Sequence, residues 1–188
     1  MRDSDAMPSA RSNTTSRRRL TSVALAVAAH DDAADPPVRF RWDADTEILS
    51  ASIVDRRGGG SVATTVELEG VDGSWLTLEM RGGRFCGIEV AVWPPVKTRT
   101  VLAPPPTASR GHAMLPGAAT GAAVGDVEVD TVLSAESDRL ERTFHLRVGA
   151  SRRSRAVRVG RDILLELDDA DQLAGLWLLN VPPVPLHS

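Results

Sequence analysis

Glu89 stands between Ile88 and Val90, so on a strand its carboxylate points away from that apolar pair. In that setting it could act as a general acid or base if a partner and a pocket met it. No histidine lies near it in sequence, so a surface or interface glutamate is the better reading; the alternative is a small-molecule or hydrolytic site around Glu89 and Asp45, between the two halves of the chain. Asp43, Asp45 and Glu47 occupy alternate positions and begin a calcium-loop pattern. Such a loop needs glycine at its sixth position and glutamate at its twelfth. Ile48 and Val54 stand there instead, and a solvated turn is the better reading.

The other reactive groups are scattered. His30, His112, His145 and His187 offer no close pair of the kind zinc sites use. His145, between Phe144 and Leu146, is expected on the outer face of a strand. A nucleophile pair of Cys86 and His145 is conceivable, but a small residue before a strand glycine is ordinarily a packing residue. Gly58-Gly59-Gly60 is not followed by Gly-Lys-Ser/Thr, so it is no phosphate loop. No catalytic, cofactor-binding or metal-ligating set emerges, and the chain reads as non-enzymatic.

Arg147, Arg152, Arg153, Arg155, Arg158 and Arg161 form the one dense basic cluster. Arg152, Arg153 and Arg155 fall on or beside a hairpin tip, where they could grip phosphates. Tyrosine is absent and no aromatic stacking platform accompanies them, so nucleic acid is the weaker reading. Trp42, Trp75, Trp93 and Trp177 are core or seam candidates.

The elements that must position these groups are strands. Val38, Phe40 and Trp42 alternate with Arg39 and Arg41, the period of a half-buried strand. After a turn at residues 43–46, Leu49, Ala51 and Ile53 alternate again, and a glycine-rich hairpin loop spans 55–61. Further strands carry Val62, Thr64, Val66 and Leu68, then Leu76, Leu78 and Met80, then Ile88, Val90 and Val92. Trp93-Pro94-Pro95 ends the run, because proline has no N–H to give a ladder.

The same events recur downstream. Val127, Val129, Thr131 and Leu133 alternate; residues 134–137 are placed as the matching turn, followed by Leu140, Phe144, Leu146 and Val148. Ala156-Val157-Arg158-Val159 mirrors Thr65-Val66-Glu67-Leu68, and Ile163 to Leu167 forms the next strand. Phe85-Cys86-Gly87-Ile88-Glu89-Val90 matches Leu173-Ala174-Gly175-Leu176-Trp177-Leu178, with the same spacing to Pro94-Pro95-Val96 and Pro182-Pro183-Val184. A lone strand glycine marks a bulge or a close backbone approach. Residues 38–96 and 127–184 thus read as two diverged copies, joined by a Pro/Ala/Gly-rich linker at 97–126 and followed by a short tail at 185–188. The expected fold is all-β: two tandem antiparallel meanders packed as a pseudo-twofold pair.

The first copy resembles the DUF2283 family of small bacterial domains of unknown function. The resemblance lies in Trp42-Asp43-Ala44-Asp45-Thr46-Glu47-Ile48-Leu49 and in Gly83-Arg84-Phe85-Cys86-Gly87-Ile88-Glu89-Val90. The second copy keeps Leu164-Leu165-Glu166-Leu167-Asp168 and Gly175-Leu176 but carries Trp177 where the family has glutamate. The resemblance implies no activity. It makes an antitoxin-like binding role conceivable.

Composition narrows the rest. The chain has 188 residues, a formal net charge of −3, 42% hydrophobic residues and one cysteine. No global field draws it to nucleic acid or an anionic membrane, and no apolar run is long enough to span a bilayer. Residues 1–37 read as a disordered leader, and the protein as cytoplasmic. The alternative is export through a twin-arginine-like signal from Ser16 to Ala28, with Ala26-Val27-Ala28 as its cleavage site. The leading expectation is a binding or regulatory module acting through a protein partner, or self-associating through edge strands. Glu89, Trp177, Asp45, Arg152, Arg153 and Arg155 are the residues expected to mark its interaction face.

Overall fold

Apolar side chains at every second position force extended backbone wherever the far face is polar. The computed structural model follows that rule throughout. It describes residues 18–29, 35–54, 62–117 and 125–185, with 15 strands and no helix among them. The glycine loop at 55–61 and the Ser16-Arg17 start of the twin-arginine pattern lie outside the described residues.

In the first unit, β3 (Val38–Asp43), β4 (Ile48–Ile53), β5 (Ala63–Gly70), β6 (Trp75–Arg81) and β7 (Arg84–Val92) pair in the order β3-β4-β7-β6-β5, all antiparallel. In the second, β11 (Leu133–Asp138), β12 (Phe144–Val148), β13 (Arg155–Gly160), β14 (Ile163–Leu167) and β15 (Leu173–Leu178) pair in the order β11-β12-β15-β14-β13. The connectivity is the same in both. Buried residues of both units, among them Leu49, Val66, Leu78 and Ile88 with Leu146, Val157, Leu165 and Leu176, belong to one continuous core. A unit of this size buries little surface alone, and a common interior removes that weakness.

The matching glycines share a physical cause. In the first unit Glu79 opposes Gly87 and then Met80 opposes Phe85, so Cys86 is an extra residue. In the second, Glu166 opposes Gly175 and then Leu167 opposes Leu173, so Ala174 is extra. Each glycine directly follows a bulge residue. The bulge throws the strand toward its neighbour, and a Cβ on Gly87 would stand 2.7 Å from the Ala51 carbonyl oxygen.

Several strands fall where the sequence reading placed none. Residues 134–137, expected as a turn, lie inside β11, and the turn sits at 139–143. Ser134 and Glu136 are its outward row and Leu133, Ala135 and Ser137 its inward one, a polar strand easily read as a loop. Leu140, counted in the apolar run, is 76% exposed in that turn. β10 (Val127–Thr131) lies parallel on β5 of the first unit rather than opening the second. The segment read as a linker carries β8 (Val96–Arg99), parallel on β11, and β9 (Thr107–Met114), parallel on β13. The leader contributes β1 (Arg18–Leu20) on β10 and β2 (Ala26–Ala29) on β9. Val23 and Leu25 are buried, and the Leu25 N–H donates to the Asp171 carbonyl at 2.9 Å. Ala26-Val27-Ala28 is therefore ladder-bonded backbone in this structure. No described helix is long and apolar enough to cross a membrane.

Candidate functional site

Two features of the second unit gather side chains that sequence reasoning kept apart. The first is a polar cluster on the outer face of its sheet. β12 sets His145 opposite Trp177 of β15, and β14 sets Glu166 opposite Gly175. Because Gly175 has no side chain, the Glu166 carboxylate occupies the space above it and reaches both neighbours. Trp177 Nε1 donates to Glu166 Oε1 at 2.9 Å, and His145 Nε2 lies 3.2 Å from Glu166 Oε2. An ionised carboxylate only accepts, so Nε2 carries the proton. The imidazole and indole stack with centroids 4.2 Å apart and planes 9° from parallel.

His145 was expected on the outer face. It is there, yet only 6% exposed, because Trp177 covers it. Trp177 in turn packs with Ala156 and Leu164, and Leu102 and Leu179 close over them. Burial pushes the Glu166 carboxyl up, while the hydrogen bonds from His145 and Trp177 pull it down further, leaving it below the usual carboxylate range. Both carboxylate oxygens are engaged and the imidazole is buried against the indole, so the cluster is a closed polar plug. Cys86 lies on the bulge of the other unit, with its thiol donating to the Glu79 carbonyl at 3.2 Å.

The first unit keeps half of this arrangement. A Cβ on Gly87 would meet Glu79 Oε2 at 3.0 Å, the distance at which one on Gly175 would meet Glu166 Oε2. Ser50 stands at the position of His145 and Glu89 at that of Trp177. Ser50 Oγ donates to Glu89 Oε2 at 3.2 Å, and Thr77 is the other cross-strand neighbour of Glu89. Asp45 belongs to the exposed turn at 44–47, where its N–H donates to Asp43 Oδ1. A cleft of about 270 Å³ opens among Leu20, Val23, Leu115, Val127 and Gln172, and neither carboxylate lines it. The recurrence of Leu78-Glu79-Met80 as Leu165-Glu166-Leu167 was the available signal for the glutamate-over-glycine pair.

The arginines divide. Arg152 is a structural staple: Nε donates to Asp168 Oδ2 at 2.7 Å, Nη2 to the Leu173 carbonyl at 2.6 Å, and Nη1 to the Val148 carbonyl at 3.1 Å. Arg155 holds Asp171, and Arg158 Nη1 donates to the Arg161 carbonyl at 2.6 Å. Arg153 is exposed. A guanidinium whose three nitrogens all face protein oxygens is held in a fixed shape. Arg152→Ala is expected to lower the unfolding free energy by about 2 kcal/mol, through loss of charged hydrogen bonds to the loop. Urea unfolding checks this. A stability equal to that of the parent would show that the staple carries no load.

The second feature is an asymmetry between sheet edges. The first strand of the second unit, β11, is capped by β8, with Glu136 opposite Lys97 and Asp138 opposite Arg99. Arg99 Nε donates to Glu136 Oε1 at 3.0 Å, and that bond, against the smaller effect of burial, holds the Glu136 carboxyl low. The topological counterpart of β11 is β3, and among the described residues β3 pairs with β4 alone. The Val54 N–H donates to the Pro37 carbonyl at 2.9 Å. Antiparallel alternation then turns the backbone groups of Arg39, Arg41 and Asp43 toward β4, and those of Val38, Phe40 and Trp42 toward the open side.

No protein-family model matches the chain, and neither does any curated protein.

Proposed function

We propose that this protein is a non-enzymatic binding or regulatory module that works through a protein partner, which it takes up by strand addition at β3. The observation that carries this reading is the edge asymmetry: of two strands at the same topological position, β11 is covered and β3 is paired on one side. A six-residue strand that, among the described residues, is paired on one side and turns the ladder groups of Val38, Phe40 and Trp42 outward is a template for an added strand. The side chains with chemical potential are committed: His145 and Glu166 to each other, and Arg152 to Asp168 and the Leu173 carbonyl. We further read the repeated strand order as a tandem duplication of a DUF2283-like unit, its copies forming a pseudo-twofold pair. The second copy has become the support and the first has kept the free edge. An antitoxin-like role is one use such an edge would have.

Hydrogen exchange tests the edge. In the isolated protein the amides of Phe40 and Trp42 should exchange rapidly, and those of Arg39 and Arg41 slowly, because only the latter face β4. A photo-crosslinker at position 41 of the full chain should then join a partner through β3. Slow exchange at all four amides without any partner would end the proposal.

A further inference from the structure

We infer that the strand accepted by β3 is an acidic one: an extended segment of the partner with carboxylates at two alternate positions and small or apolar residues between them. This rests on the strand-addition reading above and gives its partner a chemistry. The argument starts from β8, a strand-addition complex already present within the chain. On β11, the outward ladder groups belong to Leu133, Ala135 and Ser137, since the Asp138 N–H pairs inward with the Thr143 carbonyl at 3.1 Å. The β8 residue facing them is Lys97, which stands opposite Glu136. The cap is basic, with Lys97 and Arg99, and the edge beneath it is acidic, with Glu136 and Asp138. Arg99 makes its ion pair to Glu136 across that junction.

The charges on β3 are inverted over its first two outward positions, while Asp43 stands where Asp138 does. Phe40 pairs with Ala51 as Ala135 pairs with Leu146, which places Arg41 at the position of Glu136 and Arg39 at that of Ser134. Both arginines are exposed, while Val38, Phe40 and Trp42 are half-buried and pack on the core. A capping strand therefore meets Arg39 and Arg41, and beyond them Asp43, on the solvent side and an apolar row on the inner side. Opposite charges across neighbouring strands stabilise the pairing, and like charges weaken it.

Among the described residues the chain's own exit does not fill the position. Val96 of β8 follows Pro94-Pro95 out of the first unit, and Val184 follows Pro182-Pro183 out of the second. That second exit passes beside β3, since Trp42 Nε1 donates to the Pro182 carbonyl at 2.8 Å. Pro185 then stands where Lys97 stands in β8, and a proline has no N–H for the ladder. Residues 181–185 run as irregular backbone instead.

Two blocked peptides serve as probes, tested on the full chain. One is the sequence of residues 94–101, Pro-Pro-Val-Lys-Thr-Arg-Thr-Val. The other carries glutamate in place of Pro95 and Lys97, which face Arg39 and Arg41 in the register of β8 on β11, and serine in place of Arg99, which faces Asp43. The acidic peptide should slow exchange at Phe40 and Trp42 and bind about tenfold more tightly than the basic one. The double variant Arg39→Glu, Arg41→Glu alters exposed side chains only and should reverse that preference. Equal binding with protection at Phe40 and Trp42 would overturn the acidic preference and leave strand addition standing. Binding of neither peptide, with the edge amides open, would overturn the inference alone, since the crosslink at position 41 judges the broader reading separately. Edge amides already protected in a dimer would overturn both.

Discussion

Gly87→Ala should lower the unfolding free energy by about 3 kcal/mol, the upper part of the range for overpacking a rigid site. The added methyl would stand 2.7 Å from the Ala51 carbonyl oxygen and 3.0 Å from Glu79 Oε2. The nearer atom is backbone in a central strand, and it cannot rotate away. Either β4 and β7 move apart, weakening the ladder from Leu49 to Ser52, or the bulge at Cys86 is lost. Gly175→Ala should act in the same direction but less strongly, at about 1–2 kcal/mol. Its closest contacts are 3.0 Å to the Leu146 carbonyl oxygen and to Glu166 Oε2, and 3.2 Å to His145 Nε2. Urea unfolding of both variants gives the ordering. A Gly87→Ala protein as stable as the parent would mean that the strands do not approach so closely.

Glu166→Ala should cost about 3 kcal/mol at neutral pH, because it strands two donors that burial keeps from water. Trp177 Nε1 loses its acceptor at 2.9 Å, and His145 Nε2 loses the carboxylate at 3.2 Å. Glu166→Gln keeps a single acceptor oxygen and should lose less. The effect also depends on pH, with a definite sign. Burial raises the Glu166 carboxyl, but the bonds from His145 and Trp177 outweigh it and the net direction is down. A carboxyl lower in the folded than in the unfolded state contributes stability above its unfolded value, and that contribution fades as pH falls through the folded one. Glu136, held low by Arg99, and Asp168, raised by burial but lowered more by Gln172, Ala170 and Arg152, act in the same direction. The parent should therefore weaken on acidification below the ordinary carboxylate range, and the gap between parent and Glu166→Ala should narrow there. Unfolding curves at neutral pH and near pH 3 read this directly. A gap independent of pH would assign the loss to packing rather than to the charge.

The features legible in the sequence are those written in local geometry. The alternation through β3, β4 and β6 is a period-two pattern that only extended backbone satisfies, and it is all-β structure that these residues form. Gly87 and Gly175 announced a bulge or close approach, and both follow a bulge residue beside a neighbouring strand. The features that were not legible depend on partners far along the chain. β10 has the apolar alternation expected of a first strand, yet it pairs with β5, more than fifty residues back. β8 and β9 lie in a segment whose prolines and alanines argue against strands, and their ladders are completed by β11 and β13. Strand pairing is a tertiary contact, and propensity says little about who supplies the other edge.

His145 shows the same division at the level of one side chain. Its neighbours Phe144 and Leu146 determined which face it occupies. Whether that face is wet was decided by Trp177, Leu164 and Leu102, brought from three other segments. So it is with the arginines, whose spacing gave a basic cluster until Asp168, Asp171 and the Leu173 carbonyl folded around Arg152 and Arg155.

By itself the sequence determined the strand class, the repeated order of events and the positions where backbone must approach backbone. These follow from the two-residue period and from the missing side chains of glycine, both local properties. Only the tertiary structure decided that the two units share one core, that a carboxylate sits over each bulge glycine, and that β11 is covered while β3 is paired on one side. The reason is that coverage of an edge is set by where the chain goes after it leaves a unit. Val96 leads into Lys97, which can give an N–H to the ladder; Val184 leads into Pro185, which cannot.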